Sequence, residues 1–177
     1  MPSALDLGKP NPTRGLWMVK RGTVKAGETF KVGDWVGKNT DGELVIAAAA
    51  DAEYDSTTPA VLWGMAMANA ADVLAAPSGS DLARCPVKVP GRDGEALFQV
   101  YHSTTASATI ANTDIDSAAA PVKLPLRNKG GQWVLNKETD GTNDAFQINE
   151  RYPAHSGTDT LPYVWAKLLS SEAQEGD

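Results

Sequence analysis

Residues 35–46 read WVGKNTDGELVI, from Trp35 to Ile46, and carry the clearest fold signal of the chain. Two runs of strand-forming residues flank Asp41-Gly42, where glycine supplies at little steric cost the positive φ that a tight turn needs. The pattern predicts a β-hairpin. The stretch Gly131–Gly141 is similar to Gly33–Gly42, with one extra residue before Thr-Asp-Gly. An internal duplication and two independent hairpins with the same turn chemistry both explain this similarity, and we favour the second.

Outward from this hairpin, chain breakers and alternating residues predict a mainly β protein. The 16 glycines and 11 prolines leave few windows for a helix of three turns. Between them lie short runs rich in Val, Trp, Tyr and Phe, with the period of two that a half-buried strand requires. These runs predict strands at Ala60–Ala68, Cys85–Val89, Ala96–His102, Gln132–Asn136, Ala145–Asn149 and Tyr163–Leu168.

The alternation also predicts which side chains share a face of a strand. In the strand Ala60–Ala68, one face is predicted to hold Val61, Trp63, Met65 and Met67. In the strand Cys85–Val89, one face is predicted to hold Cys85, Val87 and Val89. Lys88 is then expected to point outward. Two windows favour short helices, the alanine-rich Ala47–Tyr54 and the segment Ala66–Ala76, which ends before a proline. The predicted fold is a small β-barrel or β-sandwich-like domain with few short helices.

Composition shifts along the chain predict its organisation. Residues 1–15 hold three prolines and little periodicity, which is typical of an extended N-terminal arm. The polar, turn-forming residues 77–83 are a possible boundary between an N-terminal β half, 16–76, and a C-terminal β half, 84–169. The small, polar residues 170–177 predict a mobile acidic tail. A single continuous β domain is the alternative to two halves.

Charge and residue counts exclude several classes of function. The net charge of the 177 residues is −6, which repels a phosphate backbone, so nucleic-acid binding by general charge is not expected. One cysteine and two histidines are too few for an internal disulfide or a four-ligand zinc site. Residues 1–12 lack the basic start and apolar run of a secretory signal, and the longest apolar block, Val45–Ala50, is too short to span a membrane. We therefore expect a soluble protein that is made in a cytoplasm.

A search for catalytic or ligand-binding motifs yields weak matches only. Gly33–Lys38 lacks the four-residue spacing and the Ser or Thr of a phosphate-binding loop. Asn136–Gln147 loosely follows a calcium loop, but Asn opens it and Gln closes it, so an ordinary polar hairpin loop is favoured. Cys85 is able in principle to pair with His102 or His155, yet its alternation with valines indicates a core position. We predict no enzyme activity, no cofactor and no metal.

Tryptophan is the remaining candidate for a binding residue, because it combines a large apolar ring with a polar N–H. Four of the five tryptophans lie within strand patterns and are expected in the core. The exception is Trp17, which follows the proline-rich arm in Gly15-Leu16-Trp17-Met18-Val19. Leu16, Trp17 and Met18 are our candidate partner-binding residues. Trp17 docks on a neighbouring subunit or simply begins the first strand, and the sequence leaves the two open.

The order of these pieces resembles a known family. A proline-bearing arm leads to the strand segment 24–36, then the Asp-Gly hairpin, then Ala60-Val-Leu-Trp-Gly-Met-Ala66. In the second half, residues 109–116, 132–135 and 163–168 are similar to closing strands of the same kind of protein. Over most of residues 15–170 the chain resembles the capsid decoration, or cement, proteins of tailed bacteriophages. Residues 78–131 match least well.

The resemblance implies a structural role and a fold of the β-tulip type. Proteins of this family typically trimerise on the outer surface of the phage head and bridge neighbouring subunits of the major capsid protein. The implied partners are therefore the major capsid protein and further copies of the chain, with no membrane and no direct nucleic-acid contact. The protein is expected in the virion, after synthesis in the host cytoplasm, where it stabilises the head against internal DNA pressure.

Three alternatives stay open from the sequence. The first is another phage structural protein, of the tail or of head completion. The second is a β-module that binds carbohydrate, with Trp17 or Trp165 as a stacking platform. The third is a small hydrolase that uses Cys85.

Overall fold

A computed structural model describes residues 10–59, 61–101, 121–137, 143–152 and 163–169. The fold is mainly β, with a nearly closed, barrel-like sheet and few helices, which confirms the predicted fold class. In chain order the elements are β1 (Thr13–Arg14), β2 (Trp17–Gly22), β3 (Trp35–Lys38), β4 (Leu44–Ile46), β5 (Val61–Ala66), α1 (Ala70–Leu74), a 3-10 turn (Asp81–Ala83), β6 (Cys85–Pro90), β7 (Glu95–Tyr101), β8 (Lys123–Leu124), β9 (Leu126–Lys129), β10 (Gln132–Asn136), β11 (Phe146–Tyr152) and β12 (Tyr163–Leu168).

The first five of the longer strands form one antiparallel sheet in the order β2-β6-β5-β3-β4. The predicted hairpin is confirmed, since β3 and β4 pair and Gly42 has a φ of 78°. The chain leaving β2 returns to the opposite edge, where Val24 forms a parallel bridge with Leu44. The sheet thereby curls into an almost closed barrel, and we call the gap between β2 and β4 the seam.

The interior of this barrel is one of two apolar cores. As predicted, the alternate residues Cys85, Val87 and Val89 of β6 are buried in it. Helix α1 contributes Ala70 and Val73, and the loop before β3 contributes Phe30. A five-residue helix gains little from its own hydrogen bonds, so its stability comes from this packing.

The second sheet is built from the arm end and the C-terminal strands. Its order is β8-β11-β12-β7-β10-β9, with β1 paired to β7. The bounds predicted for β10 and β12 are confirmed to the residue. All of these pairs are antiparallel except β7 with β10, which is parallel.

The second apolar core lies between the barrel and this sheet. Trp35 sits at its centre, with its ring centroid 5.8 Å from that of Phe98 and 5.0 Å from that of Phe146. The other large buried side chains of this core are Tyr54, Leu62, Met65, Val100, Leu124, Leu126, Trp133, Leu135, Ile148 and Val164. Because residues from both sides of the 77–83 segment fill it, one core joins the two sheets.

The prediction for the 60–68 strand is wrong in two respects. The register shifts between the pairs Val36–Gly64 and Gly37–Leu62, which leaves Trp63 as the extra residue of a β-bulge. Trp63 therefore turns into the barrel interior, whereas Met65 faces the core between the sheets. The strand also ends at Ala66, and Met67 is exposed.

The helix expected at Ala47–Tyr54 is absent, and α1 is shorter than its predicted window. Asp51 has a φ of 59°, which helices do not allow, and the Tyr54 N–H donates to Leu126 O at 2.8 Å. Tertiary pairing with β9 overrides the helix propensity of the alanines here, because Ala47 and Ala48 are buried against the core.

The segment 77–83 contains turns and the short 3-10 element. The strand after it, β6, pairs with β2 and β5, so the chain changes sheets later, between β6 and β7. Residues 1–9 of the expected arm and the expected tail 170–177 lie outside the described residues.

Candidate interaction edge

The candidate residues Trp17 and Met18 begin β2, an edge strand of the barrel sheet, and Leu16 directly precedes it. Leu16 is 58% exposed, Met18 42% and the following Val19 59%. Scattered exposed apolar residues are normal, but three within four consecutive positions at an edge strand leave apolar side chains exposed on both of its faces. We call Leu16, Met18 and Val19, with the open side of β2, the β2 edge.

Trp17 anchors this edge to the protein. Its indole Nε1 donates to Arg14 O at 2.9 Å, and its ring meets that of Trp35 edge-on, with centroids 6.3 Å apart. The ammonium of Lys88 lies 5.3 Å from the ring centroid. Trp17 therefore begins the first long strand and packs against the core between the sheets, while its neighbours stay exposed. Lys88 points away from the barrel interior, as expected, but contacts Trp17 and Thr13.

Two prolines show which backbone groups of β2 face outward. Pro90 and Pro86 of β6 stand opposite Trp17 and Arg21, and proline has no N–H to donate across the pair. The carbonyl of Pro86 instead accepts from the N–H of Met67, on the side of β5. The hydrogen bonds between β2 and β6 must therefore involve the other residues of β2, which are Met18, Lys20 and Gly22. Trp17 and Val19 consequently direct their N–H and C=O groups away from β6, to the side where no described strand pairs with β2.

The end of the arm is fixed beside this edge by buried and charged contacts. Asn11 is buried and its side-chain amide donates to Leu97 O at 2.9 Å. Arg14 forms ion pairs with Glu95 and, at 2.7 Å, with Glu150. Burial opposes the charged form of Arg14, but these two carboxylates outweigh it and raise its pKa. The chain that leads into the β2 edge is thus held to the second sheet by hydrogen bonds and ion pairs.

The second proposed stacking residue, Trp165, lies on β12. The guanidinium of Arg14 is 4.5 Å from its ring centroid, and the Tyr152 ring meets it edge-on, with centroids 6.2 Å apart. A sugar stacks on an open aromatic face, so Arg14 would have to leave before a ligand could use this face of Trp165.

Cys85 does not have the surroundings of a nucleophile. Its thiol is fully buried in the barrel and donates weakly to the carbonyls of Pro86 and Ala68. Burial raises the pKa of the Cys85 thiol and so disfavours the reactive thiolate. Its proposed partners His102 and His155 lie outside the described residues.

The proposed calcium loop lies partly outside the described residues, because 138–142 are not among them. Its first residue, Asn136, is a buried residue of β10 and donates to Glu53 Oε2 at 2.8 Å. Over the described part of the chain, no three His, Cys, Asp or Glu side chains cluster as metal ligands. Gly33–Lys38 leads into β3 and then into the hairpin, without a helix after it.

Sequence reasoning missed Val19 and the cations next to it. Val19 belongs to the exposed patch, although an amphipathic strand would alternate exposed and buried residues here. Lys20, Lys38 and Arg84 are far apart in the chain, so no local pattern connects them. Their proximity follows from the curling of the barrel.

Comparisons with known proteins identify no relative of this chain. No family model, curated protein or solved structure matches it. In the part of the chain that the structure describes, none of the helical segments has the length and apolar character to cross a lipid bilayer.

Proposed function

We propose that the protein is a structural component of a phage virion that binds the outer capsid surface through the β2 edge. The observation that carries the proposal is the exposed apolar run of Leu16, Met18 and Val19 on an edge strand with outward-directed backbone groups. Edge strands with these properties recruit another strand by extending the sheet. The resemblance of the chain to capsid decoration proteins supports a capsid subunit as that partner.

In this function the protein acts as a homotrimer that bridges neighbouring subunits of the major capsid protein. An interface of ~1,600 Å² for each contact gives specific binding, and a trimer that makes several contacts at once gains from their multiplicity. The head is then reinforced against the pressure of its DNA without any single very tight contact.

The experiment is cosedimentation of the purified protein with undecorated capsids of the phage that encodes it. Val19→Asp places a charge in the β2 edge, and we expect it to reduce the pelleted fraction by about tenfold or more. The matched control is Val32→Asp, because Val32 is similarly exposed (45%) but lies in the loop before β3. Thermal unfolding of both variants checks that each is folded.

A trimer that pellets only with capsids, and whose binding falls for Val19→Asp alone, supports the proposal. A protein that ignores capsids, or two variants that bind as the wild type does, contradicts it. Ring stoichiometry other than three would favour a tail or head-completion protein.

A further inference from the structure

The seam of the barrel is filled by Trp63. Gly22 of β2 makes room for it, because a Cβ at Gly22 would lie 3.0 Å from Cζ3 of Trp63 and 2.8 Å from two atoms of Leu44. The indole is only 4% exposed, and its Nε1 has no hydrogen-bond acceptor among the described residues. Buried donors of this kind are rare in folded proteins and indicate a missing acceptor.

Three cations lie near the seam, close enough for the charges of Lys20 and Arg84 to act on Lys38, and we call Lys20, Lys38 and Arg84 the seam cluster. The ammonium of Lys38 lies 4.1 Å from the centroid of the Trp63 ring. Lys20 is two residues before Gly22 in β2 and therefore projects from the same face of that strand. Arg84 precedes β6, and its guanidinium reaches β2, where it donates to the carbonyl of Arg21, next to Gly22. The curl of the sheet thus brings three distant parts of the sequence together.

The positive charges of the seam cluster are not neutralised by the protein itself. Within the described ranges, no ion pair joins any of the three to a carboxylate. Arg84 donates one bond, to Arg21 O at 2.9 Å, and keeps most of its five N–H donors for other partners. Burial, followed by the positive charges of Lys20 and Arg84, lowers the pKa of Lys38. A bound anion would relieve this repulsion.

The position of the seam cluster, next to the β2 edge, indicates which class of anion binds there. Lys20 follows Val19 directly in β2, so a strand added to the β2 edge would run past the seam cluster. A long polyphosphate chain extends over the rest of the protein, whose net charge of −6 repels it. The carboxylates of a short peptide segment stay close to the cations and sense mainly their charges, because salt screens charges beyond ~10 Å. A protein side chain therefore fits the site better than a nucleic acid.

We propose that the seam cluster binds a carboxylate side chain, carried by the extended segment that docks on the β2 edge. The identity of that segment as a partner's strand rests on the proposed function; the affinity of the cluster for a carboxylate does not. The partner segment then has apolar residues beside Leu16, Met18 and Val19, and Asp or Glu beside Lys20. The apolar part supplies contact area, and the charged pair fixes the register of the added strand.

The test is an NMR titration of the ¹⁵N-labelled full chain with tetraglutamate blocked at both ends, and with tetraglutamine as the neutral control. The indole N–H signal of Trp63, assigned with Trp63→Phe, and the amide signal of Lys38 report on the site. Lys38→Met removes the charge but keeps an unbranched side chain over Trp63. Lys129→Met is the matched control, because the Lys129 ammonium lies 3.9 Å from the centroid of the Tyr101 ring in the other sheet.

We expect tetraglutamate to shift the Trp63 and Lys38 signals, and Lys38→Met to weaken this binding by about tenfold, as expected for the loss of one charged partner. Lys129→Met should bind tetraglutamate as the wild type does. Tetraglutamine should not bind. Equal binding by Lys38→Met, equal shifts with tetraglutamine, or stronger binding of inorganic phosphate than of tetraglutamate would overturn the assignment.

The same variants in the capsid assay separate the two proposals. Tetraglutamate binding without capsid binding would leave the carboxylate site standing and remove the proposed partner. Capsid binding that depends on Val19 but is insensitive to Lys38→Met, together with a silent titration, would refute the carboxylate site alone.

Discussion

Replacing Asn11 by alanine tests how the arm end is joined to the two sheets. The Asn11 side-chain amide donates to Leu97 O at 2.9 Å and to Trp133 O at 3.3 Å, and its Oδ1 accepts from Trp35 Nε1 at 3.3 Å. Leu97 and Trp133 belong to the second sheet, whereas Trp35 belongs to the barrel. One side chain, only 3% exposed, therefore links the arm to both layers.

The expected cost follows from what Asn11→Ala leaves behind. The variant removes three hydrogen bonds and leaves the buried indole N–H of Trp35 without an acceptor, which alone costs about 1–3 kcal/mol. With the weaker loss at the two carbonyls, we expect the free energy of unfolding to fall by about 2–4 kcal/mol. That is a large part of the ~5–15 kcal/mol of a typical domain. The exposed Lys25 provides the control, and Lys25→Ala should change the stability by less than about 0.5 kcal/mol.

Urea unfolding followed by tryptophan fluorescence measures these differences. A double-mutant cycle with Trp35→Phe isolates the bond between the two side chains. In the Trp35→Phe background no indole donor is left unpaired, so Asn11→Ala should cost about 1–2 kcal/mol less than in the wild type. A loss below about 0.5 kcal/mol for Asn11→Ala, or an equal loss in both backgrounds, would refute the reasoning.

Two further predictions concern the barrel. Gly64→Ala should destabilise the protein by at least about 3 kcal/mol, because the added Cβ would lie 2.1 Å from Lys88 O. The control Gly42→Ala has open space around its Cβ and should cost about 1 kcal/mol, because the φ of Gly42 is 78°. Similar urea midpoints for the two variants would contradict this. Cys85 should react with an aromatic disulfide reagent at pH 8 at least about tenfold more slowly in the native protein than in urea, since the raised pKa reduces the thiolate fraction and burial blocks access. Equal rates would show that the thiol is accessible.

Local patterns were sufficient to predict the elements that depend on neighbouring residues. The turn at Asp41-Gly42 and the strands β6, β10 and β12 were predicted because turn geometry and side-chain alternation act within a few residues. Leu16, Trp17 and Met18 were selected as candidate partner-binding residues from their apolar run directly after a proline-rich arm, and that role stays a prediction.

Failures occurred where distant parts of the chain meet. Ala47–Tyr54 has helix-forming residues, but its backbone pairs with β9, which lies more than 70 positions further along the chain. Trp63 was assigned to the wrong face because a single bulge inverts the alternation, and the bulge is fixed by the pairing with β3.

The sequence by itself determined the β class, the hairpin and an apolar segment after the arm, because each depends on dihedral preferences and periodicity over short stretches. Only the tertiary structure decided that β2 is an edge strand, that Asn11 joins two layers, and that Lys38 lies over Trp63 within reach of the charges of Lys20 and Arg84. Those facts depend on which strands pair and how the sheet curls. Strand pairing and curvature are set by the packing of the whole chain, so no local pattern encodes them.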